Sequence, residues 1–218
     1  MNQISLQAVV FDFDGTLAEL VLDFTAMKGR VAGAAAAFLD PVPPPNGLPA
    51  LEYAERLAAL VRQTSPDAAM HFLDAVAASI REQEIEAAAN ARLFPETRLA
   101  LAALARRGLK IGIITRNCHA AVNRVFPDAA DFVGVLLARD DARYVKPDPR
   151  HLLDALTALG ADPARSLMVG DHPMDLATGK AAGTLTAGVA SGRVALEELA
   201  RHGPDYLARD VATLVTLL

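Results

Sequence analysis

Two acidic residues stand two positions apart, directly after a short apolar run near the start of the chain. Residues 8–11 read AVVF, and Asp12 and Asp14 follow in the segment DFDGT. Alternate residues of an extended chain share a face, so both carboxylates are expected on the same side. Neighbouring carboxylates repel each other, which raises the pKa of one of them unless a cation intervenes. The pair therefore predicts a cation site or acid–base chemistry, although Asp14-Gly15 alone also fits a plain turn.

Polar residues follow later apolar runs in the same way. Thr115 comes after residues 110–114, and Asp171 comes after residues 166–169, with Asp175 four positions further on. A loop before the third run carries Lys146. Each residue also has a simpler interpretation: Thr115 as a strand end, Lys146 as a surface lysine, and Asp171 as the N-cap of a helix that begins near Pro173.

The joint occurrence of these residues favours one shared chemistry. Asp12, Asp14 and Asp171 together would make an oxygen-rich site that suits a hard cation, and we expect Mg²⁺, which binds substrate phosphate as well. With the cation present, one aspartate can remain ionised as a nucleophile while another carries a proton. Thr115 and Lys146 would supply a hydroxyl and a positive charge for phosphate oxygens.

The elements that must position these residues alternate between strand and helix. The continuous apolar run at residues 8–11 predicts a strand that is buried on both faces, and the mainly apolar runs at 110–114, 166–169 and 185–189 predict further strands. Helical patterns over 95–107, 149–159 and 174–182 lie between them. This order predicts an α/β fold with a doubly wound, mainly parallel sheet. Chemistry in such sheets collects beyond the carboxyl ends of the strands, where the polar residues stand.

One region interrupts this alternation. Residues 19–93 contain no convincing strand pattern, and helices are predicted over 24–39, 49–63 and 66–92, the last of them bent or divided. The proline-rich segment 40–47 separates the first two helices and favours polyproline II. We interpret residues 19–93 as a small all-helical cap inserted after the first strand, and residues 1–18 and 94–218 as the α/β catalytic core. Extra helices packed on the sheet are the alternative.

At these residues the sequence resembles the haloacid dehalogenase superfamily of phosphotransferases. The predicted helical insert lies between the first and second family motifs, and this position resembles the cap of the phosphoglycolate phosphatase-like branch. The first family motif is matched by FDFDGTL at 11–17 and the second by IITRN at 113–117. Lys146-Pro147 matches the third motif, and VGDHPMD at 169–175 matches the fourth. The match spans the whole α/β part of the chain.

The resemblance implies a role for each motif residue. Asp12 would attack phosphorus to form an aspartyl-phosphate, and Asp14 would protonate the leaving oxygen and then activate water. The implied Mg²⁺ ligands are Asp12, the Asp14 backbone carbonyl and Asp171, with Asp175 in support. The groups implied to bind the phosphoryl group are Thr115, Lys146, Asn117 and the backbone of Gly15 and Arg116. The dehalogenases and phosphonate hydrolases of the superfamily lack an acid at the position of Asp14, so its presence favours phosphate esters.

The resemblance also implies a function: a Mg²⁺-dependent phosphatase that hydrolyses a small phosphate monoester, phosphoglycolate-like or a sugar phosphate. A phosphosugar mutase of the same superfamily is the alternative, and a non-catalytic binding protein is a further one. A cap would close over the site and contribute substrate contacts. The residues that follow the nucleophile loop are the cap candidates: Glu19, Asp23, Phe24, Met27 and Arg30.

The composition and net charge of the chain limit the kinds of partner that it is expected to bind. The chain has 218 residues, of which 44 are alanine, and a net charge of −5, which offers no general attraction to nucleic acid or an anionic membrane. A single cysteine, Cys118, excludes an internal disulfide framework. We therefore expect a soluble, cytoplasmic monomer or homodimer that acts on a small phosphate ester. Cys118 is interpreted as a packing residue, His119 as a surface residue and His172 as a neighbour of the site, and no function is assigned to His71, His151 or His202.

Overall fold

The computed structural model describes residues 5–19 and 21–218. The chain divides into two compact units, of which one comprises residues 21–87 and the other the remainder of the described chain. The insert predicted from the sequence, residues 19–93, extends slightly beyond the first of these units at both ends. Among the described residues, no helix is both long enough and apolar enough to cross a membrane.

The unit of residues 21–87 is helical. Its helices are α1 (Phe24–Ala35), α2 (Ala50–Arg62) and α3, which begins at Pro66 and continues without a break to Ala88. The prediction that α3 is divided is wrong, whereas a bend in it stays a prediction, and α1 ends four residues before the predicted Leu39. Leu39 is followed by Asp40-Pro41, and a residue before proline is disfavoured in the helical conformation.

Six parallel strands form the sheet of the other unit. They are β1 (Ala8–Phe11), β2 (Lys110–Ile114), β3 (Val135–Leu137), β4 (Ser166–Gly170), β5 (Leu185–Val189) and β6 (Tyr206–Ala208). Their order in the sheet is β3-β2-β1-β4-β5-β6, and all neighbours are parallel. This confirms the predicted doubly wound α/β core. The short strands β3 and β6 escaped prediction because neither has more than three residues.

Helices cover both faces of this sheet, which explains why β1 is apolar throughout. They are α4 (Thr97–Arg106), α5 (His119–Val125), α6 (Pro149–Leu159), α7 (Pro173–Ala182), α8 (Leu196–Arg201) and α9 (Val211–Leu217). Val9 and Phe11 belong to the core on one face of the sheet, and Ala8 and Val10 to the core on the other. A central parallel strand buried on both faces needs such a continuous apolar run.

The order of strands defines the place of the site. β1 lies between β2 and β4, and Phe11 is in register with Ile113 on one side and Val169 on the other. Chain connections leave β1 and β4 in opposite directions, so a crevice opens beyond the carboxyl ends of these strands. Asp12, Thr115 and Asp171 directly follow β1, β2 and β4, and the fold therefore brings them to one edge of the sheet.

Candidate active site

A tight turn after β1 carries the first acidic pair. The backbone N–H of Asp12 donates to the Val169 carbonyl at 2.8 Å, which ties the end of β1 to β4. Gly15 then adopts a left-handed conformation with φ of 86°. A Cβ at Gly15 would lie 2.4 Å from Oδ2 of Asp171, so only glycine fits both the conformation and the space. The turn can therefore approach the carboxylate that follows β4.

Lys146 lies between two buried carboxylates. Its Nζ is 2.5 Å from Oδ1 of Asp12 and 2.7 Å from Oδ1 of Asp175, and the residue is only 2% exposed. The second oxygen of Asp175 accepts a hydrogen bond from the backbone N–H of His172 at 3.1 Å. Asp175 is thus held at both oxygens, and Lys146 holds one oxygen of Asp12.

Asp171 completes a group of three carboxylates. Asp12, Asp171 and Asp175 each offer an oxygen, and these oxygens all lie within 4.8 Å of one another. The hydroxyl of Thr16 donates to Oδ1 of Asp171 at 3.3 Å. Gly192, in the loop after β5, approaches Asp171 so closely that a Cβ there would be 1.8 Å from Oδ2.

Burial makes the ionised forms of these carboxylates less stable. The pKa of Asp12 is raised to about 6, because burial and the charge of Asp175 raise it by more than the charge of Lys146 lowers it. The pKa of Asp171 rises to about 8, again through burial first and then through the charges of Asp12 and Asp175. Burial alone would lower the pKa of Lys146, but the attraction of Asp12 and Asp175 outweighs it and raises that pKa. One ammonium faces three carboxylates, so the site favours additional positive charge.

These three carboxylates fit the Mg²⁺ that was predicted from the sequence. Mg²⁺ prefers hard oxygen ligands and commonly takes one or two protein carboxylates together with waters and substrate phosphate. The raised pKa values of Asp12 and Asp171 mean that the ionised carboxylates lack compensating charge, which a divalent cation would provide. Asp175 is better placed to support, because both of its oxygens already accept hydrogen bonds.

Asp14 faces a different set of groups. The side-chain amide of Asn117 lies 3.1 Å from both carboxylate oxygens of Asp14, and the Thr115 hydroxyl donates to Oδ2 at 3.3 Å. The Thr115 oxygen also accepts from the backbone N–H of Asn117 at 3.0 Å. The residues that follow β2 therefore orient Asp14, a role of Asn117 that the sequence did not suggest.

The Arg116 side chain reaches residues of the third and fourth motifs. Its Nη1 donates to the backbone carbonyl of Lys146 at 3.0 Å and lies 3.2 Å from the sulfur of Met174. Arg139 in turn donates to the Arg116 carbonyl at 2.7 Å. The backbone roles predicted for Gly15 and Arg116 toward phosphate stay predictions.

Several residues near the motifs have structural roles. His172, and not Asp171, caps α7: its Nδ1 accepts from the backbone N–H of Met174 at 3.1 Å. Cys118 is fully buried, and His119 is paired at 2.6 Å with Asp141.

In the helical unit, the cap candidates that stand on α1 or begin it have local partners. Asp23 caps α1 through two hydrogen bonds of 2.9 Å to backbone N–H groups, and Met27 is buried. Arg30 lies 4.0 Å from Glu82 and 3.9 Å from Glu86. Whether any of these residues contacts substrate stays a prediction.

Two residues outside the predicted set support the site. The hydroxyl of Ser191 donates to the Gly15 carbonyl at 2.7 Å, which ties the loop after β5 to the turn after β1. His151, in the first turn of α6, bonds the backbone of Lys146. Neither stands in a motif, and only the position of His151 five residues after Lys146 hinted at proximity.

Comparison with known proteins agrees with this geometry. The family model for haloacid dehalogenase-like hydrolases matches residues 6–183, and the chain belongs to that family. It is 32% identical to N-acetylmuramic acid 6-phosphate phosphatase from Pseudomonas aeruginosa, over 100% of this chain and 97% of that protein. Pyrophosphatase PpaX from Bacillus pumilus is 36% identical over 54% of this chain and 56% of its own length. The matched region thus spans about half the length of that pyrophosphatase.

A solved structure shares the fold over nearly the whole chain. The crystal structure of a predicted phosphoglycolate phosphatase from Haemophilus somnus superposes with a TM-score of 0.65 and covers 97% of each chain at 19% identity. At that identity the similarity shows the fold alone.

Proposed function

We propose that this protein is a Mg²⁺-dependent phosphatase that hydrolyses small phosphate monoesters through an aspartyl-phosphate on Asp12. The observation that carries the proposal is the Lys146 ammonium at 2.5 Å from Asp12, in a group of three buried carboxylates at the carboxyl edge of the sheet. With Oδ1 of Asp12 paired to Lys146, its other oxygen is the candidate nucleophile. Family membership supports the hydrolytic class of reaction.

The first step transfers the phosphoryl group to the protein. A carboxylate oxygen of Asp12 forms a bond to phosphorus, and the bond between phosphorus and the ester oxygen breaks. Asp14 in its acid form donates a proton to the leaving oxygen, which departs as an alcohol. Asn117 and Thr115 keep the Asp14 carboxyl in one orientation through their hydrogen bonds to it.

The second step returns the protein to its starting state. Asp14, now a carboxylate, accepts a proton from water as the water oxygen bonds to phosphorus. The bond between phosphorus and the Asp12 oxygen breaks, which releases inorganic phosphate and restores the Asp12 carboxylate. One side chain thus acts as acid and then as base, so its orientation matters in both steps.

Charge compensation comes from Lys146 and from the cation. Lys146 offsets Asp12 and would contact the phosphoryl oxygens together with the Thr115 hydroxyl. Asp12, the Asp14 backbone carbonyl and Asp171 would hold Mg²⁺, with Asp175 in support; when bound, Mg²⁺ offsets the negative charge of the carboxylates and of the phosphate. The assignment of residues 19–93 as a substrate-contacting cap stays a prediction.

We further propose that the preferred substrates are sugar phosphates. The N-acetylmuramic acid 6-phosphate phosphatase from Pseudomonas aeruginosa is similar over the whole chain, whereas the pyrophosphatase is similar over only about half of it. Sugar phosphates and phosphoglycolate present the same monoester group to Asp12. The rest of the substrate distinguishes them, and we expect residues outside the motifs to contact it.

A panel assay tests the proposal. Phosphate release is measured with N-acetylmuramic acid 6-phosphate, other sugar phosphates, phosphoglycolate and pyrophosphate, in Mg²⁺ and in chelator. We expect Mg²⁺-dependent release from at least one monoester and its loss in Asp12→Asn. Isomerisation of a sugar phosphate without phosphate release would favour a mutase, and no turnover of any compound would favour a binding protein.

A further inference from the structure

His151 is a buried histidine to which sequence reasoning assigned no function. It lies in the first turn of α6 with no exposed surface. Its Nδ1 is 3.2 Å from the backbone nitrogen of Lys146, and its Nε2 is 3.1 Å from the Leu137 carbonyl oxygen. A carbonyl only accepts, so Nε2 carries the proton and Nδ1 accepts from the Lys146 N–H. The two neighbours thus define a single neutral tautomer.

The imidazole joins the two segments that carry the phosphate-binding candidates. The Leu137 carbonyl, at the end of β3, also accepts the backbone N–H of Thr115 at 3.1 Å. His151 therefore links the loop of Lys146 to the same carbonyl that holds Thr115 beyond β2. A shift of the ring would alter the distance between the Lys146 and Thr115 backbones.

Side chains hold both backbone polar groups of Lys146. His151 accepts from its N–H, and the Arg116 guanidinium donates to its carbonyl. A lysine side chain is long and flexible, so the direction of its ammonium depends on where the backbone is fixed. Holding the backbone on both sides limits the positions that Nζ can reach between Asp12 and Asp175.

The surroundings keep His151 neutral. Burial, and after it the nearby charge of Lys146, lowers the pKa of His151 to about 4. A neutral ring leaves the Nδ1 lone pair available as an acceptor.

We propose that His151 is a positioning residue, whose Nδ1 holds the Lys146 backbone so that the ammonium stays aligned with Asp12 and the phosphoryl group. This inference rests on the proposed function, because it assigns His151 a role in that reaction. Misplacement of a catalytic group by about 1 Å can cost about 10²-fold in rate. The proposal therefore predicts that loss of the Nδ1 contact lowers kcat by more than any decrease in the fraction of folded protein can explain.

A matched pair of variants separates the two ring nitrogens. The side-chain oxygen of asparagine in His151→Asn can take the place of Nδ1 and accept from Lys146 but cannot reach Leu137. The side-chain nitrogen of glutamine in His151→Gln can take the place of Nε2 but leaves the Lys146 N–H without its acceptor. Each variant removes one buried hydrogen bond, so similar losses in Tm are expected.

The kinetic prediction is asymmetric. With the best ester of the panel and saturating Mg²⁺, His151→Asn should keep kcat within about 3-fold of the wild type, whereas His151→Gln should lose about 10- to 100-fold. kcat and KM are measured together with Tm for both. Equal kcat values, or losses that follow only the fraction of folded protein, would mean a structural role and overturn the proposal.

A measurement on the wild-type protein tests the proposal even if the variants fail to fold. Histidine ¹⁵N NMR at neutral pH should show His151 as the Nε2–H tautomer, and the Nδ1–H tautomer or a protonated ring would overturn the proposal. The NMR result does not depend on turnover. If the wild type hydrolyses no ester but the expected tautomer is seen, the proposed function fails and the contact itself stands.

Discussion

The two units of this chain hold ion pairs that differ in exposure to solvent: those of Arg30 are exposed, and those of Lys146 are buried. In the helical unit, Arg30 lies 4.0 Å from Glu82 and 3.9 Å from Glu86, and all three side chains are about half or more exposed. In the α/β unit, the Lys146 ammonium lies 2.5 Å from Asp12 and 2.7 Å from Asp175, with all three residues buried. Exposed pairs such as the first contribute roughly 0–1 kcal/mol, because water screens them.

The buried charges of the α/β unit lower the stability of the folded protein at the candidate active site. Burial raises the pKa of Asp12 and of Asp171, so their ionised forms are less stable in the folded protein than in the unfolded chain. A core under no other demand would avoid this arrangement. A buried group of carboxylates with one ammonium is useful when substrate and cation complete the charge balance.

The largest expected effect comes from removing the buried ammonium. Lys146→Met should lower kcat/KM by roughly 10²- to 10⁴-fold, because Asp12 and the phosphoryl group both lose their positive partner. The metal-free variant should also lose about 3–5 kcal/mol of unfolding free energy at pH 8, since two buried carboxylates lose their counter-charge. Steady-state kinetics and denaturant unfolding measure both changes.

Lys180→Met is the matched control. Lys180 is exposed and donates to the backbone carbonyl of His202. Its substitution should leave kcat/KM unchanged. Similar kinetic losses in both variants would show that the buried position of Lys146 has no special role.

The fold was predictable because its signals are local. The uninterrupted apolar run of β1 and the mainly apolar runs of β2, β4 and β5 identified the central strands of a sheet covered on both faces. Edge strands such as β3 are short and half-buried, so they leave little pattern in the sequence. The aspartates at strand ends were found for the same reason: each directly follows a recognisable run.

The supporting contacts were not predictable because they join residues distant in sequence. Asn117 contacts Asp14 across 103 positions, and Ser191 contacts Gly15 across 176. His151 is near Lys146 in sequence, but its contact with the Leu137 carbonyl depends on the edge strand that escaped prediction. Residue type alone distinguishes none of these from ordinary polar side chains.

The second prediction concerns pH and Mg²⁺. In the metal-free protein the folded pKa values of Asp12 and Asp171, about 6 and about 8, lie above the usual 3.8. The folded state then binds more protons than the unfolded state between about pH 4 and pH 8. Unfolding free energy should therefore fall as pH rises through this window, by a few kcal/mol in order of magnitude.

Mg²⁺ should oppose that loss. A cation that binds only the folded, ionised site stabilises it by mass action, so the increase in Tm on adding Mg²⁺ should be larger at pH 8 than at pH 5. Thermal unfolding at both pH values, with Mg²⁺ and with chelator, measures this. A Mg²⁺ effect that is independent of pH would argue against a site built from Asp12 and Asp171.

The smallest expected effect comes from a pair of glycines, one in each unit. Gly192→Ala would place a Cβ 1.8 Å from Oδ2 of Asp171, so the carboxylate must move. We expect a loss of about 1–3 kcal/mol in unfolding free energy and weaker Mg²⁺ dependence of activity.

Gly29→Ala in α1 is the control, because nothing beyond its chain neighbours and the backbone of its own helix lies within 4 Å of the added Cβ. Alanine favours the helix, so this variant should gain about 0.5–1 kcal/mol in unfolding free energy. Denaturant unfolding of both variants gives the comparison. A stabilising Gly192→Ala would mean that Asp171 is not confined as the structure shows.

The covalent role of Asp12 is the central claim, and acid-quench labelling tests it most directly. In Asp14→Asn, a phosphate ester with a good leaving group, such as p-nitrophenyl phosphate, should still phosphorylate the protein, while hydrolysis of the intermediate is slowed. Mass spectrometry of the quenched protein should then find one phosphoryl group on Asp12 and none in a variant that also carries Asp12→Asn. Turnover with no phosphoryl group on the protein, or with the group on another residue, would contradict the account.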